Sequence, residues 1–226
     1  MILSIEYNDF FKLISAQVSN NFILTSKEEE MLALLVPKAL LRTANCLKEN
    51  INKYYWNETE ELIFNPYHSG QYAIFLYFLS RSAIQNSESI LADKIYYLNK
   101  MLNSCDLYHG VKLPDVFFFD HPLGSVLGRA EYSNYFIFQQ NCTVGNNHSK
   151  YPKFGEFVWL FANTTVIGES VIGNNVFISA GTYIKDEIIP DNTIVFGRSP
   201  NLILKSKPIE YFHNASPFKI HQKKEC

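Results

Sequence analysis

From Phe154 onward, apolar residues recur at a fixed step of six: Phe154, Leu160, Val166, Ile172, Ile178 and Ile184. The same step links Tyr132, Phe138 and Val144, and before them Leu107, Leu113 and Phe119. Four residues after the later anchors come small or β-branched side chains: Val158, Thr164, Ser170, Val176 and Thr182. Gly128, Gly145, Gly155 and Gly173 each follow an anchor directly. A six-residue step fits neither a helix nor a simple alternating strand. It fits a solenoid in which each hexad forms one flat side of a triangular coil, with about eighteen residues per coil. The anchor then points inward, and the small residue fills the crowded interior near a corner.

Residues 1–103 carry no such repeat and read as helical. Ser26 and Glu29 have the spacing of a capping box, ahead of Leu32, Leu35 and Val36. Pro37 is expected to kink or interrupt that helix. Gln71–Arg81 is apolar nearly all round, as in a buried helix. A third helix begins near Ser87, with Leu91, Ile95, Leu98 and Leu102 on one stripe. The expected organisation is α+β: a helical domain over 1–103, a left-handed parallel β-helix over 104–208, and a polar, mobile tail over 209–226. Within the β-helical region, Val195–Pro208 reads as a closing strand with a turn.

Composition narrows the function. The 226 residues include 18 Phe and 14 Tyr, too aromatic for a disordered chain. A net charge of −2 and no long basic run argue against a nucleic-acid binder. The longest apolar run, Ala73–Leu79, is too short to span a bilayer. The N-terminus has no basic leader, so a cytoplasmic location is expected. Cys46, Cys105, Cys142 and Cys226 form no C-x-x-C pair, so neither a metal site nor a redox motif is expected. No Gly-rich phosphate loop occurs.

Two interruptions of the repeat point to the chemistry. Phe119 and Leu127 are eight residues apart, and Val144 and Phe154 ten. Extra residues in a solenoid bulge outward, where ligands bind. The first bulge carries Asp120, His121 and Pro122; the second carries His148, Lys150 and Tyr151. His121 is the candidate general base. Asp106, fifteen residues upstream and close to one coil length, is the candidate carboxylate beneath it. Asp120 should point away from the ring, toward the acceptor. His109 could face the same groove, although a surface position is the simpler reading. His68, His213 and His221 read as structural or exposed. Lys153, Arg198, Lys205 and Lys207 are candidates for holding a phosphate-bearing cofactor.

Residues of about 70–207 resemble the serine acetyltransferase branch of the hexapeptide-repeat acyltransferases. The resemblance rests on an ordered string: the helix at Gly70–Leu79, Asp106, His109, the Asp120–His121 pair, Gly124, FQQNCTVG at Phe138–Gly145, KYPKFG at Lys150–Gly155, and FGRSP at Phe196–Pro200. It implies acetyl-CoA as donor and a site shared between subunits of a homotrimer, which could pair into a dimer of trimers. His121 would be the base and Asp106 its orienting carboxylate. Asp120, His148, Lys150 and Tyr151 would face the acceptor. Gly145, Asn146, Ala162, Asn163 and Lys205 would lie along the cofactor groove.

The departures shift the expected acceptor. Lys150 and Tyr151 stand where the family has Arg-His, and Asn65-Pro66 where it has an Asp-Pro element. The reaction expected is therefore acetyl transfer to a hydroxyl, leaning toward a sugar of a capsular or O-antigen polysaccharide. Serine is the alternative acceptor, and a non-catalytic β-helical scaffold is the alternative of another class.

Overall fold

The computed structural model describes residues 1–219. His221 and Cys226, with the end of the expected tail, lie outside the described residues. The N-terminal part holds four helices: α1 (Tyr7–Asn21), α2 (Ser26–Leu47), α3 (Ser69–Gln85) and α4 (Ser89–Asn103). A two-residue parallel pair, Ile2–Leu3 with Ile63–Phe64, pins the N-terminus beside them.

The capping box at α2 sits one residue earlier than the sequence spacing suggested. The Thr25 hydroxyl accepts from the Glu28 N–H, and the Glu28 carboxylate accepts from the Thr25 N–H. Glu28 wins over Glu29 because it also meets Lys94 of α4 at 2.5 Å. Burial pushes the Glu28 carboxyl up, but Lys94 and Thr25 together hold it below its usual value. Pro37 does not end α2, which runs on to Leu47. The aligned apolar positions around it, Leu32, Leu35, Val36 and Ala39, are all fully buried, and that packing outweighs the lost backbone bond.

The remaining strands form a parallel β-helix of three sides. One side stacks Phe117–Phe119, Phe136–Phe138, Val158–Leu160, Val176–Ile178 and Thr193–Arg198. The second stacks Val126–Leu127, Thr143–Gly145, Thr165–Ile167 and Tyr183–Lys185. The third stacks Glu131–Tyr132, Lys153–Phe154, Val171–Ile172 and Ile188–Ile189. The anchors register directly on one another: Leu160 on Ile178, Val166 on Ile184, Phe154 on Ile172. All six late anchors are buried, and so are Val158, Thr164, Ser170, Val176 and Thr182. The buried hydroxyls reach nearby carbonyls, Thr164 to Phe161 and Ser170 to Ile167, which removes the cost of an unpaired polar group.

The helices and the solenoid share one core. Phe117 of the first coil meets the rings of Tyr77 and Phe78 edge-on. The Tyr77 hydroxyl accepts from the Leu113 N–H and donates to the Val111 carbonyl. Beyond the last coil, Thr193–Arg198 turns back as an antiparallel hairpin with Asn201–Ser206.

The tail departs from the mobile segment expected of it. Residues 209–219 fold onto the outside of the first side. Helix α5 (Ile209–Ala215) buries Phe212 against an aromatic patch of Trp159, Phe161, Phe177 and Phe196. The chain then reaches the helical domain, where Ile51 N–H bonds the Pro217 carbonyl and Lys219 N–H the Glu49 carbonyl. Lys219 lies over the Trp56 ring at 3.8 Å. The polar letters of this segment hide two aromatic anchors, Phe212 and Phe218, both buried.

Candidate functional site

The first interruption raises His121 out of the wall. His121 takes a left-handed backbone conformation (φ 49°), and Gly124 follows at φ 72°. The turn is held by Leu123 N–H to the His121 carbonyl and Gly124 N–H to the Ser104 carbonyl. The imidazole is 82% exposed, and its Nε2 lies 3.4 Å from Oδ1 of Asp120, itself 48% exposed. The ring borders a cleft of about 180 Å³ against the start of α3, lined by Ser69, Gly70, Phe119 and Leu123 among others.

Asp120 is thus the carboxylate beside His121, contrary to the expectation that it points away. Backbone strain at φ 49° breaks the alternation of a strand, so neighbouring side chains converge. Asp106 makes no contact with His121. Its Oδ1 accepts from the Tyr96 hydroxyl at 2.8 Å and its Oδ2 from Lys100 at 2.6 Å, both on α4. Coil spacing set Asp106 directly beneath His121, whereas the residue bridges to Val126 of the second side. Spacing could not reveal that α4 lays two donors across that carboxylate.

The second interruption folds into a miniature hairpin. Asn147 and Lys150 bridge antiparallel, with His148 (φ 48°) and Ser149 (φ 61°) as the two turn residues, the left-handed pair of a type I′ turn. These four residues account for the lengthened coil: Phe138 registers on Leu160 and Val144 on Val166, 22 residues apart. The hairpin is tied down by Asp186, which accepts from the Glu169 N–H and from the Asn147 amide. Those bonds, the Glu169 N–H above all, hold the Asp186 carboxyl below its usual value. Lys150 does not reach into a cleft; it pairs with Glu169 at 3.1 Å. His148 sits exposed at the tip. Tyr151 does face a cleft.

That cleft, of about 310 Å³, gathers Asp106, Gly145, Asn146 and Tyr151, with Tyr108 and Arg129, which sequence reasoning passed over. A Cβ built at Gly145 would meet only Ile167, at 3.8 Å, so the strand end there is open to a ligand. Ala162 and Asn163 lie elsewhere. They form a different corner, where the Asn163 amide oxygen accepts from Asn141 and the Ala162 carbonyl from the Gly181 N–H. The expected cofactor residues are therefore split between two corners of one chain.

The expected phosphate-holding cations are engaged on the wall. Lys205 lies over Phe196, Arg198 over Tyr183 and Lys207 over Tyr211, while Lys153 pairs with Glu131 at 2.8 Å. His109 is buried rather than on the surface, its Nε2 2.8 Å from Asp93. His68 is structural: its ring accepts the Gln71 N–H as the N-cap of α3. Burial pushes the Cys46 and Cys105 thiols up to about 12, which leaves them poor nucleophiles. Among the described residues no cluster has the makings of a metal site, and no helix is long and apolar enough to cross a membrane.

No family model matches the chain. Serine acetyltransferase of Synechococcus elongatus is 29% identical over 104 residues, which is 44% of this chain and 43% of that protein. Serine acetyltransferase of Staphylococcus epidermidis is 23% identical over 156 residues, covering 62% and 67% of the two chains. The chain thus spans less than half the length of the first of these relatives. Among solved structures, the serine acetyltransferase of Brucella abortus superposes with a TM-score of 0.67 at 17% identity, covering 87% of this chain and 82% of that one. A serine acetyltransferase in complex with cysteine reaches 0.70 at 17% identity, covering 91% and 83%. The chain resembles serine acetyltransferases in sequence over part of its length. Its fold is the left-handed hexapeptide-repeat β-helix behind a helical domain, of about five turns. A further neighbour is a serine acetyltransferase in complex with CoA, with a TM-score of 0.65 at 17% identity and coverage of 86% and 82%. The relatives named here are serine acetyltransferases, not acetyltransferases of the polysaccharide sugars toward which the altered loop residues leaned.

Proposed function

We propose that the chain is an acetyl-CoA-dependent O-acetyltransferase whose acceptor is the hydroxyl of serine. The observation that carries this reading is the Asp120–His121 pair, lifted from the wall by a left-handed turn beside a cleft. The proteins it resembles are serine acetyltransferases, and one neighbour was solved with CoA. Acetyl-CoA supplies an activated thioester. His121 takes the proton of the acceptor hydroxyl, and Asp120 at its side favours the imidazolium that results. A C–O bond forms, the C–S bond breaks, and the proton passes to the departing thiolate. In this reading Gly145, Asn146 and Tyr151 line the donor's cleft, and Arg129 in the same cleft is the cation that meets the acceptor's carboxylate.

Trimer formation is part of the same proposal. It would bring the His121 cleft and the Gly145 cleft, separate in one chain, to opposite sides of a shared groove. The side covered by α5 is occupied by the chain's own tail, which leaves the second and third sides for neighbours.

A second reading has one observation in its favour. Asp106, the carboxylate expected to orient His121, and Lys150, expected to face the acceptor, are each paired inside the chain, as in a non-catalytic scaffold. Acetyl-CoA consumption with L-serine, followed by thioester absorbance, decides between them. Turnover abolished by His121→Ala in a folded protein supports the enzyme; no turnover and no acetyl-CoA binding leaves the scaffold.

A further inference from the structure

A third cleft lies at the junction of the helical domain and the first coils, and shares no lining residue with the two described above. It has a volume of about 320 Å³. Three cations from three separate segments converge on it: Arg42 of α2, Arg81 of α3, and Lys112 between α4 and the first coil. We propose that this cleft binds a phosphate group, free or carried as the ester of a small molecule. The inference is independent of the acetyl-transfer reading.

Each cation is placed differently. Arg42 is stacked over Phe78, 4.5 Å from the ring centroid, and is paired only with Asp115 at 3.6 Å, a carboxylate 85% exposed at the rim. Arg81 is steered by one bond, Nη1 to the His109 carbonyl at 2.6 Å. The rest of its fork has no partner among the described residues. Lys112 is exposed and has no acidic partner among the described residues. Arg81 and Lys112 are thus left without an acidic partner among the described residues, and the cleft's three cations outnumber its two carboxylates, Asp115 and Glu156, an excess of positive charge that an anion relieves. A phosphate oxygen pair matches the open edge of a guanidinium, and a lysine adds a point charge.

Gln85 and the Asn134 amide, whose oxygen already accepts from the Val116 N–H, add neutral donors. Leu113, Pro114 and the Tyr132 ring give an apolar floor for an organic body. Glu156 also lines the cleft and forms no ion pair among the described residues; it opposes an anion and so offers a test of sign.

The experiment is calorimetric titration of the full chain with inorganic phosphate and with phenyl phosphate, first without CoA and then in saturating CoA, which fills the phosphate contacts of a donor site. Saturable binding is expected. Lys112→Gln, at an exposed position, should weaken it by about tenfold, and Arg81→Gln by more. Glu156→Gln should tighten it by about threefold. Tighter binding of phenyl phosphate than of phosphate assigns the site to an ester; equal affinity assigns it to the free ion. No saturable binding, binding that CoA abolishes, or binding indifferent to Lys112→Gln and Glu156→Gln would overturn the proposal.

Discussion

Asp120, the carboxylate found beside His121, and Asp106, the one expected there, make opposite predictions, and substituting each to Asn separates them. Asp120 faces Nε2 at 3.4 Å, but both groups are largely in water, at 48% and 82% exposure. A full pair of charges at that distance is worth about 1 kcal/mol in a water-like medium, and exposed pairs measure about 0.2–1 kcal/mol. Asp120→Asn should therefore lower kcat/KM with serine by about two- to fivefold, with unfolding by urea unchanged within about 0.5 kcal/mol. Asp106 touches Tyr96 and Lys100 instead. Asp106→Asn removes a charge-assisted bond at 2.6 Å, worth about 1.5 kcal/mol because Lys100 is half exposed. It should lower stability by that amount, while turnover stays within about threefold. Thioester absorbance and urea denaturation on the same preparations give both numbers. The reasoning is refuted if Asp106→Asn remains folded yet loses turnover by about a hundredfold while Asp120→Asn does not. Asp106 would then leave α4 to orient His121 when the site is assembled.

Ile178→Ala empties an anchor wholly buried between Leu160 and Val195, and should cost about 2–5 kcal/mol in urea denaturation. Phe212→Ala removes the buried ring that seals α5 to the aromatic patch; it should cost about 3 kcal/mol and make the peptide bonds of 209–219 accessible to protease. The Asp186 carboxyl is held below its usual value by the Glu169 N–H and then by Asn147. Its contribution is therefore complete above the usual carboxylate value and is lost as pH falls through the lowered one. Amide exchange at Glu169 and in the 146–151 hairpin should speed up only in strong acid, and Asp186→Asn should show the faster exchange at neutral pH.

Much of the solenoid was legible because its period is set by local geometry. An anchor at every sixth position must point inward whatever else the chain does, and both the anchors and the small residues two positions before the next one are buried as the spacing requires. The Asp120–His121 bulge and the His148 turn were legible as departures from that period. What stayed hidden came from contacts across the chain. The two α4 donors on Asp106 lie 6 and 10 residues upstream of it, on an element of a different periodicity. Lys150 looked available because nothing in its loop is acidic; Glu169, its partner, belongs to the next coil. The tail read as mobile because Phe212 and Phe218 stand in a polar stretch; the aromatic outside of the first side gives Phe212 its place, and Tyr135 with the bridge to Asn50 gives Phe218 its own.

Those hidden contacts bear on the acceptor. A hydroxyl amino acid carries a carboxylate and an ammonium, and a site for it needs a cation and an anion that are not already matched. Lys150 is matched by Glu169 and Asp106 by Lys100, so neither is free to make that recognition without giving up a partner. Arg129 lines one cleft and Asp120 stands beside His121, which borders the other; Arg129 has no ion pair among the described residues and Asp120 only its exposed contact with His121. Serine recognition in this chain would then run through Arg129 and Asp120, which face one another only if neighbouring copies bring the two clefts together. Arg129→Gln should accordingly raise KM for serine by about tenfold with little change in kcat. An equal loss in both, or none in either, would place the acceptor's carboxylate elsewhere.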